Sequence, residues 1–257
     1  MSNYLVTGAS GGIGTAVCSR LAGGGHNLIL AARNAVRLET LKASLPGTGH
    51  EIAPVDMSSD GSINAFAAML SELAVELDGA VLMPPQPHSA NDPLPPSEVW
   101  RTLFQTSFIG PLATLKAAIE RMRPDVSKGR RAKIVIISGI SSAQVLGHYA
   151  TSNVIRTAWI GEAKTLAFAL GPRNIHVNTL SLGGTLTADY RASIQRRADT
   201  ASQTFEKRLE LETENVPLRK YGTPEEVAVA VEGLLSPFSD HMTGLNILHD
   251  GGFTRAY

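Results

Sequence analysis

Eight residues near the N-terminus carry the clearest chemistry: Thr7-Gly8-Ala9-Ser10-Gly11-Gly12-Ile13-Gly14. The apolar run Tyr4-Leu5-Val6 precedes them, and the helix-compatible run from Thr15 to Leu21 follows. That order reads as a strand, a tight turn and a helix start. Glycine accepts positive φ and lets phosphate oxygens reach the backbone. The helix N-terminus adds unpaired N–H groups at the positive end of its dipole. Such a turn is suited to a dinucleotide pyrophosphate, with Gly8, Ser10, Gly12, Ile13 and Gly14 as the cofactor-binding residues. A glycine-rich turn can also join a strand to a helix with no ligand. Its place near the N-terminus, opening an α/β pattern, favours binding.

The elements that must position this turn alternate along the chain. Apolar strand candidates lie at 3–8, 27–32, 50–55, 79–83, 133–138, 174–181 and 244–249, with helical patterns at about 13–23, 34–44, 59–77, 97–123, 148–170 and 224–235. Near-continuous apolar strands such as Ile134-Val135-Ile136-Ile137 suit a parallel sheet covered on both faces. The expected fold is therefore α/β, a single Rossmann-type domain over 1–257 with a doubly wound parallel sheet. One long interruption, 183–223, is polar and helix-prone from Ala192 to Glu214. Ligands of such sheets bind beyond the carboxyl ends of the strands, so this segment is placed to cover a substrate; a peripheral helical pair is the alternative.

Composition removes other classes. The 257 residues carry 23 basic and 23 acidic side chains, which gives no electrostatic case for nucleic acid or an anionic membrane. The single cysteine, Cys18, excludes an intramolecular disulfide and reads as a small packing residue. No run of about 18 apolar residues could span a bilayer, and the core strand begins too early for a signal peptide, so a cytoplasmic protein is expected. His176 and His249 are too scattered for a metal site, and His88 reads as a solvent-facing loop residue. Trp100 and Trp159 sit among apolar neighbours as packing or oligomer contacts.

Nearly end to end, the chain resembles the short-chain dehydrogenase/reductase family. The resemblance rests on Gly8, Gly12 and Gly14 in register, on Asn174-Ile175-His176-Val177-Asn178, and on Val216 to Val227 followed by Thr243-Gly244 and His249-Asp250-Gly251-Gly252. It implies a nicotinamide cofactor, a small carbonyl or alcohol substrate, and a homodimer or homotetramer formed through helices 97–123 and 148–170. The family's NAD-users place an acid after the second strand; here Ala32 stands there and Arg33 follows. A guanidinium beside a missing carboxylate suits a 2′-phosphate, so NADP(H) is expected over NAD(H). Asp56 resembles the residue that binds the adenine amino group, or caps the helix beginning near Ser58. Thr187 resembles a threonine that contacts the nicotinamide carboxamide, and Leu182 replaces the proline usual before Gly183.

The resemblance weakens at the family's Asn, Ser, Tyr and Lys. Tyr149 keeps its place in Tyr149-Ala150-Thr151-Ser152-Asn153, but Asn153 stands where the lysine is usual. By strand register the usual serine falls at Gly139, leaving Ser138 as first choice for the hydroxyl and Ser141 as second. Ser107 aligns with the family's asparagine, and Asn153 takes the lysine's place as a ribose ligand. Leu82-Met83-Pro84-Pro85-Gln86-Pro87 replaces the Asn-Asn-Ala-Gly stretch, so that wall must be built differently. Asn153 brings no charge to favour a phenolate, so Tyr149 is expected to donate a proton; Asn153→Lys should restore the missing cation. The reading that follows is an atypical NADP(H)-dependent carbonyl reductase. A non-redox elimination or isomerisation on the same scaffold, or a catalytically silent nucleotide-binding protein, are the alternatives. Arg191, Arg196 and Arg197 in the covering segment hint at an anionic or polar substrate, or form a solvated face.

Overall fold

The computed structural model describes residues 1–87 and 91–256, so His88 lies outside the described residues. The chain runs β1 (Asn3–Thr7), α1 (Gly12–Gly23), β2 (Asn27–Ala31), α2 (Ala35–Ser44), β3 (Glu51–Ile52), α3 (Asp60–Glu72), β4 (Gly79–Leu82), α4 (Ser97–Phe104) and α5 (Gly110–Ile119). It continues through β5 (Ala132–Gly139), α6 (Ala150–Leu170), β6 (Ile175–Leu182), α7 (Ala188–Thr200), α8 (Phe205–Glu212), α9 (Pro224–Leu235) and β7 (Asn246–His249). All strand pairs are parallel, in the order β3-β2-β1-β4-β5-β6-β7. The order reverses between β1 and β4, and the crevice at that switch point lies beyond their carboxyl ends.

Each face of the sheet buries its own apolar layer, because successive strand side chains point to opposite sides. Leu5, Ile29, Leu82, Ile134 and Ile136 pack with Phe66, Leu115 and Trp159 on one face. Val6, Leu30, Val135, Ile137 and Leu180 pack with Val17, Leu38, Val227 and Val231 on the other. This double coverage is the doubly wound arrangement that the near-continuous apolar strands imply.

Several boundaries differ from the sequence expectation, each for a local reason. The strand expected at 50–55 forms only Glu51–Ile52, since it is an edge pairing with β2 alone. The helical pattern 97–123 is broken: α4 and α5 flank a wider π-type turn, Gln105–Ile109, just before Gly110-Pro111, where proline lacks an N–H for the helix ladder. The pattern at 59–77 ends at Glu72, and Ala74 takes φ +52°. The covering segment 183–223 holds two helices, α7 and α8, and α7 starts at Ala188 under a Thr187 cap, before the helix-prone stretch from Ala192.

Candidate active site

The glycine turn is shaped first by its own backbone. Gly8 has φ +62°, and its carbonyl accepts the Gly11 N–H at 2.9 Å. A Cβ on Gly14 would lie 2.0 Å from the Gly8 carbonyl oxygen, so only glycine lets α1 start here. Gly11 caps α1 without a side-chain hydrogen bond, leaving the first-turn N–H groups for a ligand. A Cβ on Gly12 would touch Thr187 at 3.0 Å, which places the N-cap of α7 directly over the turn.

Arg33 is exposed at the end of β2, close enough to Asp56 to help hold that carboxyl below the usual range. The larger cause is the Ser58 hydroxyl, which donates to Asp56 at 2.6 Å, with the Ser58 N–H at 2.9 Å. Sequence reasoning missed Arg37. Its Nη2 donates to the Ser10 carbonyl at 3.0 Å, so a second guanidinium flanks the glycine turn from α2. Asn34 caps α2 by accepting the Arg37 N–H, which fixes the turn that carries both arginines.

Beyond the turn opens a cavity of about 610 Å³. Gly8, Gly12, Ile13 and Gly14 line its nucleotide end; Ser138, Gly139, Tyr149 and Arg156 line the opposite wall; Thr187, Tyr190 and Tyr221 close it from the covering segment. The structure therefore brings Tyr149, Ser138 and Thr187 together with the glycine turn. It does not bring Asn153, Ser107, Ser10, Arg33 or Asp56 to the lining of that cavity.

Asn153 points elsewhere. Its carboxamide accepts the Leu146 N–H at 3.3 Å and donates to the Leu146 carbonyl at 3.1 Å, a two-point clasp on the loop leading into Tyr149. The same carbonyl accepts the Tyr149 N–H at 3.0 Å. Ser107 is likewise engaged: it is buried in the π-type turn, and its carbonyl accepts the Trp159 indole N–H at 2.8 Å. Trp159 is a core residue, 2% exposed and packed against Phe108 with the rings tilted by 57°, which resolves its two readings in favour of packing.

The cation absent from position 153 enters from one turn further along α6. Arg156 lies seven residues after Tyr149, two helical turns on and on the same face. Its guanidinium lies 5.5 Å from the Tyr149 ring centroid. Nη1 donates to Ser141 Oγ at 3.1 Å and Nη2 to Gln86 Oε1 at 2.7 Å. A Cβ on Gly139 would sit 2.6 Å from the guanidinium carbon, so the position without a serine is the slot that Arg156 fills. The Pro84-Pro85-Gln86-Pro87 stretch supplies the other support, with Gln86 braced on the Pro84 carbonyl at 3.2 Å. Burial pushes the Arg156 guanidinium below its usual value, and the neighbouring Tyr149 partly offsets this. Ser138 Oγ is buried with no hydrogen-bond partner, and Ser141 Oγ accepts from Arg156.

The arginines of the covering segment do not line this cavity. Arg191 lies over the Phe205 ring, Arg196 is exposed, and Arg197 donates twice to the Glu212 carboxylate, each at 2.7 Å. No helix among the described residues is long and apolar enough to cross a membrane, and no cluster of metal-ligating side chains occurs among them.

Comparison with known proteins agrees with this architecture. The family model described as enoyl-(acyl carrier protein) reductase matches residues 8–254. The chain is 29% identical to 2,3-dihydro-2,3-dihydroxybenzoate dehydrogenase of Bacillus subtilis, covering 97% of this chain and 95% of the other. It is 30% identical to the granaticin polyketide synthase putative ketoacyl reductase 2 of Streptomyces violaceoruber, over 96% and 94% of the two chains. Its fold superimposes on L-sorbose reductase of Gluconobacter frateurii, solved with NADPH and L-sorbose, with TM-score 0.91, 23% identity and coverage of 100% and 97%. The chain belongs to the short-chain dehydrogenase/reductase family. It is an oxidoreductase of that type on a nucleotide-binding Rossmann fold.

Proposed function

We propose that the protein is an NADP(H)-dependent carbonyl reductase that uses Tyr149 as proton donor and Arg156 as the active-site cation. The observation that carries this reading is Arg156: a guanidinium fixed by Gln86 and Ser141, placed beside Tyr149 in a slot opened by Gly139. The residues fit the cofactor. The glycine cradle that a Cβ at Gly14 would fill, together with the uncapped α1 N-terminus, suits a pyrophosphate. Arg33 and Arg37 offer two planar donors for a 2′-phosphate, and no acid stands at Ala32 to repel it. Several related structures are NADPH or NADP complexes, in line with that preference.

NADP(H), when bound, supplies or accepts the hydride. In reduction that hydride would go to the carbonyl carbon while Tyr149 donates its proton to the carbonyl oxygen, leaving an alcohol and a phenolate that solvent reprotonates. Ser138 Oγ, free of other partners, donates to the same oxygen, and Arg156 stabilises both the phenolate and the developing alkoxide. Asn153 keeps Tyr149 in place through Leu146. The apolar Val99, Ile109, Val154 and Phe168 stay exposed on the helices that the family resemblance assigns to dimer contacts, which supports a homo-oligomer.

The test follows NADPH oxidation against a panel of ketones and aldehydes, with Tyr149→Phe alongside. The expected loss on removing the hydroxyl is about 10³-fold in kcat. Undiminished turnover in Tyr149→Phe overturns the mechanism. Equal dissociation constants for NADPH and NADH overturn the cofactor preference, which is expected to be at least about tenfold, or 1.4 kcal/mol.

A further inference from the structure

Arg156 is a half-buried cation with no anionic partner. Its two Nη atoms are held by neutral oxygens, those of Ser141 and Gln86, while its Nε is buried and has no hydrogen-bond partner. The ion pairs formed among the described residues leave it out. A buried charge without a counter-ion is costly, and the folded chain bears that cost at the substrate cavity. That Nε is sealed against Gly139, 2.9 Å from the position a Cβ would take there, while the guanidinium as a whole lines the cavity. Arg156 thus brings a permanent charge to the cavity beside Tyr149, with Nη hydrogens to spare beyond those given to Ser141 and Gln86.

Resting on the reductase reading above, we infer that the substrate is a 2-oxo acid, a carbonyl whose adjacent carbon bears a carboxylate, and that Arg156 is its anchor. The carboxylate accepts from the Arg156 Nη hydrogens that Ser141 and Gln86 leave free, and the neighbouring carbonyl oxygen meets Tyr149 and Ser138 as proposed above. A carboxylate beside the reacting carbon brings the negative charge to the guanidinium without a second pocket. Because Gln86 and Ser141 already fix the guanidinium, little ordering remains to be done on binding. The rest of the cavity disfavours further negative charge. Its other charged lining residues are Asp189, Glu212 and Asp250, all carboxylates. Glu212 is engaged by Arg197 and Arg208, and Asp250 accepts the Gly252 and Thr254 N–H groups, each at 2.8 Å. Tyr190, Tyr221 and Phe253 add flat, largely apolar walls for the substituent on the carbonyl. The expected substrate is a monoanion, with its charge next to the carbonyl and an uncharged, ring-sized remainder.

Oxamate, which has the 2-oxo acid shape but resists reduction, and its neutral counterpart oxamide are the probes. Calorimetric titration is run on the protein with and without saturating NADPH, for the unaltered chain, Arg156→Gln, Arg156→Lys and Ser138→Ala. Oxamate is expected to bind the unaltered protein at least tenfold more tightly than Arg156→Gln, with Arg156→Lys between them and Ser138→Ala a few-fold weaker than the unaltered chain. Oxamide should not distinguish Arg156→Gln from the unaltered protein. Retained NADPH affinity identifies variants that fold, and Ser138→Ala keeps the test open where Arg156 variants do not. Oxamate that fails to bind, or that binds Arg156→Gln as well as the unaltered chain, overturns the inference even where neutral ketones are reduced. Arg156-dependent oxamate binding with no NADPH consumed on any 2-oxo acid or ketone supports the anchor and overturns the reductase reading instead.

Discussion

At the nucleotide end of the cavity the tightest approach is backbone on backbone, where a Cβ at Gly14 would meet the Gly8 carbonyl oxygen at 2.0 Å. At the proton-transfer end it is backbone on side chain, where a Cβ at Gly139 would meet the Arg156 guanidinium at 2.6 Å. A backbone contact cannot move aside without unmaking the turn. A side-chain contact can be exchanged for another when its partner changes as well. The first end therefore keeps the family's glycines residue by residue. Beside Ser107 in place of asparagine, the second end differs at three positions together: Gly139 for serine, Asn153 for lysine, and Gln86 in a proline-rich loop. Arg156 joins all three changes, since it fills the slot at Gly139, bonds Gln86 and supplies the charge that Asn153 lacks.

The sharpest way to break this contrast is to add one methyl group at two glycines of the nucleotide turn, one facing backbone and one facing a side chain. Gly14→Ala should abolish measurable nucleotide binding, an effect above about 10²-fold, because the strain at the Gly8 carbonyl cannot relax. Gly12→Ala meets only the Thr187 side chain at 3.0 Å, and its affinity should fall less than tenfold. Similar losses for the two, measured by titration with NADPH, would remove the distinction between backbone and side-chain constraint.

Next in size is Gly139→Ser, which restores the family's serine in a site already occupied. It should displace Arg156 and lower kcat/KM by about 10²-fold, near 2.7 kcal/mol, with the NADPH dissociation constant unchanged. In an Arg156→Ala background the same substitution should cost almost nothing, since the clash is gone; that coupling is the observable. Asn153→Lys comes third. The sequence alone suggests that this change restores a lost cation. The clasp on Leu146 says otherwise: lysine cannot accept the Leu146 N–H, so the loop before Tyr149 loosens and kcat should fall about tenfold. A faster enzyme would show that the side chain reaches the cavity after all.

These particulars separate what could be read from the sequence from what could not. The glycine turn, the alternating strands and Tyr149 are local patterns, fixed by spacing within a few residues. The Tyr149 to Arg156 spacing was equally local, yet its meaning depends on Gly139 in β5 and Gln86 after β4, which come together only in three dimensions. Arg37 has the same history: its partner Ser10 lies 27 residues away in sequence. Asn153 stands four residues after Tyr149, but the choice of its carboxamide between a ribose and the Leu146 peptide is decided by loop conformation. The break at Gln105–Ile109 was signalled by Gly110-Pro111 and was masked by apolar periodicity on both sides.

The smallest expected effect lies in the covering segment, away from both ends. Glu212 joins α8 to α7 by accepting Arg197 Nε and Nη2 and Arg208 Nε, each at 2.7 Å. The Arg197 hydrogen bonds are the largest cause that holds the Glu212 carboxyl below its usual value of 4.5, with burial opposing and Arg208 adding to the depression. A depressed folded-state value means that this stabilisation is present above the ordinary carboxylate range. It is lost as pH falls through that range to the folded value. The arginines are 37% and 30% exposed, so solvent screening keeps the contribution near about 1 kcal/mol at neutral pH. Glu212→Gln keeps the shape and removes the charge. Its Tm should fall by about 2–4 °C at pH 7, and the gap to the unaltered protein should close on acidification below about pH 4. Because Glu212 also lines the substrate cavity, any kinetic effect of the variant should fall on KM and leave the NADPH dissociation constant unchanged. A Tm difference that persists undiminished at low pH would place the stabilisation in packing instead of charge. The covering segment would then be held like the nucleotide end, by shape alone.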